Sequence, residues 1–376
     1  MATVNQQPIL IAGGGIAGLA AALAAAAAGR EARVFERAST FEEVGAGLQL
    51  GPNAVRALQR IGAWETVAAI ASSPPAIVMR HAVSGKTVRR VQLAGIFEGM
   101  FGAPYRVAHR ADLHGALLAA TRAHSGVSIS GGAAVETIAD DGGRVRITLQ
   151  SGEVAEGDLL IAADGMRSGL RQKMWPGSQS VFAGQIIHRA LTDVATDIAD
   201  PDCVNLWMGP GFHAVHYPVG KNRKLNIVLV AHRGQSAEEI IGECCPDLQR
   251  VLASATSWLP WEARHVPALA TWVKGRVVLL GDAAHGTVPY FAQGSAMALE
   301  DAALLADVLH EAGAMPANFA RMNERMARVT AVHRASVRQG KIYSLSGPAA
   351  LARDLALRLL PEHKFLAQLR WLYAPD

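Results

Sequence analysis

Three glycines and one acidic residue near the start of the sequence have the spacing of a nucleotide-binding turn. Gly13, Gly15 and Gly18 form a GxGxxG pattern, and Glu36 follows about twenty residues later. The glycines permit a tight turn and let a pyrophosphate approach the backbone, where the start of a helix offers free N–H groups. An acid at the later position can bind a ribose hydroxyl. The pattern predicts a dinucleotide site, with a glycine turn that binds nothing as the alternative.

Two further carboxylates stand at the ends of apolar segments. Asp164, followed by Gly165, ends the segment DLLIAADG, and Asp282 follows the segment GRVVLLG. Ligands of open α/β sheets collect at the carboxyl ends of the strands. Taken alone, Asp164 is better explained as a turn residue that caps a helix. Together with the glycine turn, the two acids indicate a cofactor site along one edge of a sheet.

The residues around the glycine turn have the pattern of a strand, a helix and a second strand. Residues 8–12 and 32–36 are short apolar segments, and 17–28 is an alanine-rich helical segment between them. Such a βαβ unit implies a parallel sheet with a right-handed crossover. The stretch 9–29 is apolar enough to imitate a signal peptide or a membrane span. Its clustered glycines and the strand that follows argue against both.

Further along the chain, the patterns predict a second sheet and a set of helices. Residues 180–231 alternate in the manner of a half-exposed antiparallel sheet, which suggests a second subdomain inserted into the first. Residues 41–50 have the composition of a loop, and 277–280 the pattern of a buried parallel strand. Helical patterns follow over 293–312 and 316–337.

Composition limits the classes of function. Half of the 376 residues are hydrophobic and 18% are charged, which excludes disorder as the main state. The net charge of +4 is small. The sequence shows no basic stripe interleaved with aromatics, so nucleic-acid binding has little support. The three cysteines, Cys203, Cys244 and Cys245, have no CxxC spacing. They are predicted to be reduced thiols of a cytoplasmic protein, with no metal site and no membrane association.

Six short motifs, taken in order, resemble those of the class A flavoprotein aromatic hydroxylases. These are FAD monooxygenases of the salicylate and 3-hydroxybenzoate hydroxylase type. The resemblance extends from Ile9 to about Val337. The motifs are GGGIAG, FERA, HRADL, ADG-x-RS, GDAAH and AQG.

The resemblance implies an α/β fold with a Rossmann-like FAD-binding domain, an inserted antiparallel-sheet substrate domain and C-terminal helices. We place the FAD-binding domain with interleaved sheet segments at 1–175 and the substrate-binding sheet at 176–270. The chain is expected to return to the FAD domain and its helices over 271–340 and to end in a helical tail over 341–376. Since only one GxGxxG is present, NAD(P)H, with NADH favoured, is expected to bind transiently while it reduces the flavin.

In such a fold, Asp282 would bind the ribityl or ribose region and Arg110 would lie along the pyrophosphate and ribityl chain. The helix that begins near Gln293 would direct its positive N-terminus at the N1–C2=O edge of the isoalloxazine ring, where reduction leaves negative charge. The residues expected to bind the cofactor are Gly13, Gly15, Ala17, Gly18, Glu36, Arg37, Arg110, Asp164, Gly165, Asp282, Pro289, Gly294 and Ser295.

The segment after GDAAH departs from the family pattern. Many relatives have proline where this chain has Gly286, so a more flexible loop is expected there. His285 is predicted to brace the loop rather than to act in catalysis. Glu300 and Asp301 are predicted to form an exposed pair in the first turn of the following helix, where they would complement its dipole.

Strand alternation places His213, Val215 and Tyr217 on one face of the second sheet and His216 on the other. In the 3-hydroxybenzoate 6-hydroxylase type, the matching histidine and tyrosine face the substrate and activate its phenol. His213 is therefore the candidate base, with a pKa expected near the working pH, and Tyr217 a hydrogen-bonding neighbour. A structural histidine is the alternative for His213.

Two further residues match substrate contacts of the same relatives. Gln293, in YFAQG, matches a substrate-side glutamine, and Tyr105, in APYRVAHR, matches a substrate-contacting tyrosine. For Tyr105, simple packing is an equally good explanation.

The predicted activity is hydroxylation of a small phenolic or hydroxybenzoate-like aromatic with NAD(P)H and O2, through a flavin C4a-hydroperoxide. A homodimer is a family-level expectation. Three alternatives stay open: hydroxylation of a pyridine or other heteroaromatic, epoxidation on the same scaffold, and a flavin-binding reductase without oxygenase activity.

Overall fold

The computed structural model describes residues 6–41, 46–194, 198–312 and 316–375. Its strands, in chain order, are β1 (Ile9–Ala12), β2 (Ala32–Phe35), β3 (Gly47–Leu50), β4 (Ala76–His81), β5 (Thr87–Gln92), β6 (Arg106–His109), β7 (Val127–Ser130), β8 (Val135–Asp140), β9 (Val145–Leu149), β10 (Val154–Gly157), β11 (Leu159–Ala162), β12 (Val181–Asp193), β13 (Val204–Gly209), β14 (Phe212–Val219), β15 (Lys224–His232), β16 (Leu259–His265), β17 (Val273–Lys274) and β18 (Val277–Leu279).

The helices connect and cover these strands, and two 3-10 turns, Pro289–Phe291 and Ala320–Glu324, interrupt the C-terminal part. The helices are α1 (Ile16–Ala27), α2 (Pro52–Arg60), α3 (Trp64–Ala68), α4 (Ile96–Phe101), α5 (Arg110–Arg122), α6 (Gly169–Met174), α7 (Ala237–Glu243), α8 (Pro246–Ala253), α9 (Asp282–His285), α10 (Gly294–Ala312), α11 (Pro316–Phe319), α12 (Arg325–Tyr343), α13 (Gly347–Leu359), α14 (Glu362–Ala367) and α15 (Arg370–Tyr373).

A six-stranded sheet, in the order β17-β18-β11-β1-β2-β7, forms the Rossmann-like part and confirms the predicted α/β class. Strands β1, β2, β7, β11 and β18 run parallel, and β17 is antiparallel to β18. In the register of this sheet, Ala12 pairs with Ala162, and Ala162 with Leu279. The glycine turn, Asp164 and Asp282 therefore follow three neighbouring strands at the same edge.

The second sheet has seven strands in the order β16-β12-β15-β14-β13-β4-β5. It is antiparallel except for the β13–β4 pair. One of its faces packs against α7 and α8, with Trp207, Phe212 and Leu229 in that core. The antiparallel sheet predicted over 180–231 is thus present, and it also includes β4 and β5 from an earlier part of the chain. The domain boundaries stay a prediction.

The chain moves repeatedly between the two sheets. It leaves the parallel sheet after β2 and returns at β7, then forms a separate three-stranded sheet, β10-β9-β8, before β11. It leaves again at β12 and returns at β17. Part of the predicted loop over 41–50 is strand β3, which pairs with β6, while 42–45 lie outside the described residues. Within the described ranges, no helix is both long enough and apolar enough to cross a bilayer.

Candidate functional site

A cavity of about 1180 Å³ extends from the edge of the parallel sheet across the free face of the seven-stranded sheet. This volume is larger than that of ordinary ligand pockets, which is about 300–1,000 Å³. Helices α12 and α13 contribute to its wall, together with residues of the C-terminal segment. The predicted site residues that line it are Gly15, Ala17, Tyr105, Arg110, Gly165, His213, Tyr217, Asp282, Pro289, Gly294 and Ser295.

The glycine turn is packed too closely for side chains. A Cβ on Gly13, whose φ is +110°, would lie 2.4 Å from the Ala163 carbonyl oxygen. A Cβ on Gly18 would lie 1.9 Å from the Gly13 carbonyl oxygen. Gly13 and Gly18 therefore let α1 begin directly at the strand ends, and Gly15, the N-cap of α1, lies at the cavity wall.

Glu36 is held by the turn itself. One carboxylate oxygen accepts a hydrogen bond from the Gly14 backbone N–H at 2.6 Å, and the other accepts from that of Ala38 at 2.8 Å. The neighbouring Arg37 is exposed. Neither side chain lines the cavity, so their predicted contact with the cofactor stays a prediction.

The two strand-end aspartates differ in what they bind. Asp164 accepts hydrogen bonds from the Ser168 hydroxyl at 2.5 Å and from the Leu170 backbone N–H at 3.2 Å, which stabilises the start of α6. This is the turn-and-cap arrangement that the sequence favoured for Asp164 alone. Asp282 lines the cavity, and its carboxylate has no hydrogen bond to any described residue. Asp282 is therefore the acid available to a ligand.

The predicted alternation of side chains along β14 is confirmed. His213, Val215 and Tyr217 line the cavity, while His216 lies on the opposite face with its ring stacked on Trp207 at 6.1 Å between centroids. The cavity face of β14 is therefore the face that carries the candidate base.

His213 is enclosed by aromatic rings. Its centroid lies 5.5 Å from that of Tyr290 and 5.3 Å from that of Tyr343. Its Nδ1 is buried, and within the described ranges it has no hydrogen-bond partner. Burial lowers the pKa of His213 to about 3. The expectation of a pKa near the working pH was wrong, because the C-terminal helices bury a ring that strand alternation alone leaves half-exposed. At neutral pH the imidazole is uncharged.

Tyr105 and Tyr217 converge on Gln49, a residue that no sequence motif singled out. The Tyr105 hydroxyl donates to Gln49 Oε1, and Tyr217 also hydrogen-bonds to the Gln49 side chain. Burial raises the pKa of both phenols, so both remain protonated donors. Gln293 lies elsewhere, with its Oε1 accepting from the Asn53 amide at 3.0 Å in the interior. Its predicted contact with the substrate stays a prediction.

Comparison with known proteins agrees with this arrangement. A family model described as an FAD binding domain matches residues 6–336. A 3-hydroxybenzoate 6-hydroxylase of Polaromonas naphthalenivorans (strain CJ2) is 34% identical over 384 residues, which cover 97% of this chain and 95% of that protein. A 3-amino-4-hydroxybenzoate 2-monooxygenase of Streptomyces cremeus is 36% identical over 381 residues, which cover 97% of this chain and 94% of that protein.

The chain belongs to the FAD-dependent aromatic hydroxylases. The solved structure of Klebsiella pneumoniae HpxO complexed with FAD and uric acid has the same fold, with a TM-score of 0.87 at 23% identity. That likeness covers 98% of this chain and 97% of the other.

The cavity of the hydroxylase fits FAD. The N-termini of α1 and α10 reach the same space, and both bring free N–H groups and positive partial charge to it. Arg110 and the unpartnered carboxylate of Asp282 lie on the same wall. The helix N-termini and Arg110 suit the phosphates and the electron-accepting edge of a flavin. The Asp282 carboxylate suits the hydroxyls of a sugar chain.

A network of hydrogen bonds and ion pairs in the interior stabilises the turn that carries Asp282. Asp301 accepts hydrogen bonds from the Gly281 N–H at 3.1 Å, His285 Nε2 at 2.5 Å and Arg325 Nε at 3.0 Å. Glu300 accepts from Arg325 and Arg328, each at 2.6 Å. The prediction of an exposed acidic pair was wrong, because both acids form ion pairs with arginines of α12. His285 braces the loop, as predicted.

Gly286 of the hydroxylase has a backbone that proline could adopt, with φ −45° and ψ 131°. Its carbonyl accepts a hydrogen bond from the Val266 N–H at 2.7 Å. A Cβ at this position would lie 2.5 Å from the Met166 sulfur. The space that a ring would fill in relatives with proline is thus occupied by the end of Met166.

Proposed function

We propose that the hydroxylase uses NAD(P)H, with NADH favoured, and O2 to hydroxylate a phenolic or hydroxybenzoate-like aromatic. One observation carries the proposal: His213 and Tyr217 face the cavity that Asp282, Arg110 and the α10 N-terminus also line. A small aromatic on the sheet would therefore lie beside the cofactor. Bound FAD supplies the electron transfer and oxygen chemistry.

The protein's own groups would orient the substrate and move its proton. His213 Nδ1 is buried and has no hydrogen-bond partner among the described residues, so Nε2 is the nitrogen that a phenol can reach. The neutral imidazole accepts the phenol hydrogen at Nε2, which increases electron density on the ring carbons. Tyr217, held by Gln49, donates to a substrate oxygen. Tyr290 and Phe291 form an apolar part of the wall that excludes water.

The activity is tested with the FAD-loaded enzyme and a panel of 3-hydroxybenzoate, salicylate and a hydroxypyridine carboxylic acid. We expect a phenolic acid to stimulate NADH oxidation and to yield a product with one added oxygen, measured by absorbance and mass spectrometry. Slow NADH oxidation at the same rate with every compound would indicate a flavin reductase instead. Oxygenation of the hydroxypyridine alone would favour the heteroaromatic alternative. The homodimer and the cytoplasmic location stay predictions.

Replacing His213 with alanine should uncouple the reaction. Without the acceptor at Nε2 the phenol loses the hydrogen bond that increases electron density on its ring carbons, and we expect the hydroxylation rate to fall by about 10²-fold, the lower end of what general bases contribute. NADH oxidation should continue, so the measurement is the ratio of product to NADH consumed.

His216→Ala is the matched control, because it removes a buried histidine from the opposite face of the same strand. It should leave that ratio unchanged even if it lowers stability. An unchanged ratio in His213→Ala would assign His213 a structural role.

A further inference from the structure

The cavity floor on the seven-stranded sheet includes one charged residue in an apolar row. Val215 pairs with Leu206 on β13 and with Val228 on β15, and Val228 pairs with Arg189 on β12. All four residues line the cavity. Arg189 therefore ends a row that is otherwise aliphatic.

Arg189 lies within reach of a molecule bound at His213 and Tyr217. Both of these residues flank Val215 on β14. Neighbouring strands are about 4.8 Å apart, so the backbone of Arg189 lies two strands, or about 10 Å, from that of Val215. A substituted benzene ring and the long arginine side chain can together span that distance.

Arg189 is half-buried, and it lacks the partner that other buried or half-buried arginines have. Arg30 pairs with Asp158 at 2.7 Å, Arg325 with Asp301 at 3.0 Å, and Arg171 donates to backbone carbonyls. Arg189 has no hydrogen bond or ion pair to any described residue, and its Nε is buried without a partner.

The contacts of Arg189 include no carboxylate of a described residue. Trp261 contributes a cation–π contact at 5.7 Å. Burial lowers the pKa of Arg189, Tyr217 partly opposes that shift, and the positive charge of Arg110 adds to it. A half-buried cation without an anion loses part of its hydration, and an anionic ligand would offset that cost.

We propose that Arg189 binds the carboxylate of an aromatic acid and so selects hydroxylated benzoates over neutral phenols. The planar guanidinium matches a carboxylate in a two-bond geometry. The acid would lie with its carboxylate at Arg189 and its phenol at His213 and Tyr217. This inference rests on the proposed function, because both use the same cavity.

The test compares Arg189→Met with Arg233→Met in the FAD-loaded enzyme. Arg233 is an exposed arginine that also contacts an aromatic ring, that of Phe182 at 5.7 Å, and it does not line the cavity. Each protein is titrated with 3-hydroxybenzoate and with the neutral 3-hydroxybenzyl alcohol, and binding is followed by flavin absorbance and calorimetry. The wild type should bind the acid more tightly than the alcohol.

Arg189→Met should weaken binding of the acid by about 10- to 100-fold, the size expected for a charged hydrogen-bonded contact, and leave alcohol binding and FAD content unchanged. Arg189→Lys should retain part of the preference, and Arg233→Met all of it. Equal weakening of both compounds, loss of FAD from Arg189→Met, or a wild type without preference for the acid would overturn the proposal.

These outcomes are separable from failure of the proposed function, because the titration requires no turnover. Acid that binds through Arg189 but is never hydroxylated would contradict the proposed function alone. If an Arg189→Met enzyme hydroxylates phenols and binds the acid as tightly as the wild type, only the proposed carboxylate contact of Arg189 is contradicted.

Discussion

An enzyme with alanine in place of Asp301 should lose about 3–5 kcal/mol of unfolding free energy, the usual cost of removing one partner from a buried ion pair. Asp301 is fully buried, and its loss leaves Arg325 Nε, His285 Nε2 and the Gly281 N–H without their acceptor. The acid contributes as a carboxylate. Burial alone would raise the pKa of Asp301, but His285 and Arg325 outweigh burial and lower that pKa to about 2.

The measurement is urea unfolding of the FAD-free protein at neutral pH. Asp307→Ala is the control, since it removes an acid from the same helix that pairs with Arg60 at the surface. Surface pairs contribute at most about 1 kcal/mol. Equal midpoints for the two variants would show that the buried network does not stabilise the fold. Because the pKa of Asp301 is depressed, its contribution should be present at neutral pH and lost as pH falls from about 4 towards 2.

Alanine in place of Asp282 should leave the purified hydroxylase largely without FAD. The carboxylate lies in the cavity with no hydrogen bond to a described residue, so its bonding capacity is available to the sugar hydroxyls of the cofactor. Hydrogen bonds to a charged group are strong enough that the dissociation constant for FAD should rise by about 10- to 100-fold. The ratio of flavin to protein absorbance and a fluorescence titration with FAD measure the change.

Two further variants make the Asp282 result specific. Asp307→Ala should retain full flavin content. Asp164→Ala should mainly lower stability, by about 1 kcal/mol, because that carboxylate caps α6. Full flavin content in Asp282→Ala would show that this acid does not hold the cofactor.

The cofactor side of the site was predictable because parallel strands carry their carboxyl ends to one edge. A glycine turn and two strand-end acids in three parallel strands have to meet, whatever the loops between them do. The sequence pattern also gave the cavity face of β14, since alternation leaves only two choices for His213. Which of the two acids is free for a ligand depends on Ser168 and the backbone of Leu170, which use Asp164 as a cap.

What could not be predicted depends on segments distant in the chain. Asp301 is buried because arginine side chains from a later segment neutralise it, and helix periodicity contains no information about those partners. His213 has a depressed pKa because Tyr343, from α12, covers it. Arg189 was identifiable in principle, since the alternation that places His213 also applies to β12, but only the strand order shows that the two strands share one floor.

The repeated passage of the chain between the two sheets determines how the enzyme can be divided. No single cut yields one fragment with the whole nucleotide half and another with the whole aromatic half, because β4 and β5 would be separated from β12 to β16. Neither half is therefore expected to fold independently. Because residues of both sheets line the cavity, we expect FAD to bind tightly only after the two sheets have assembled.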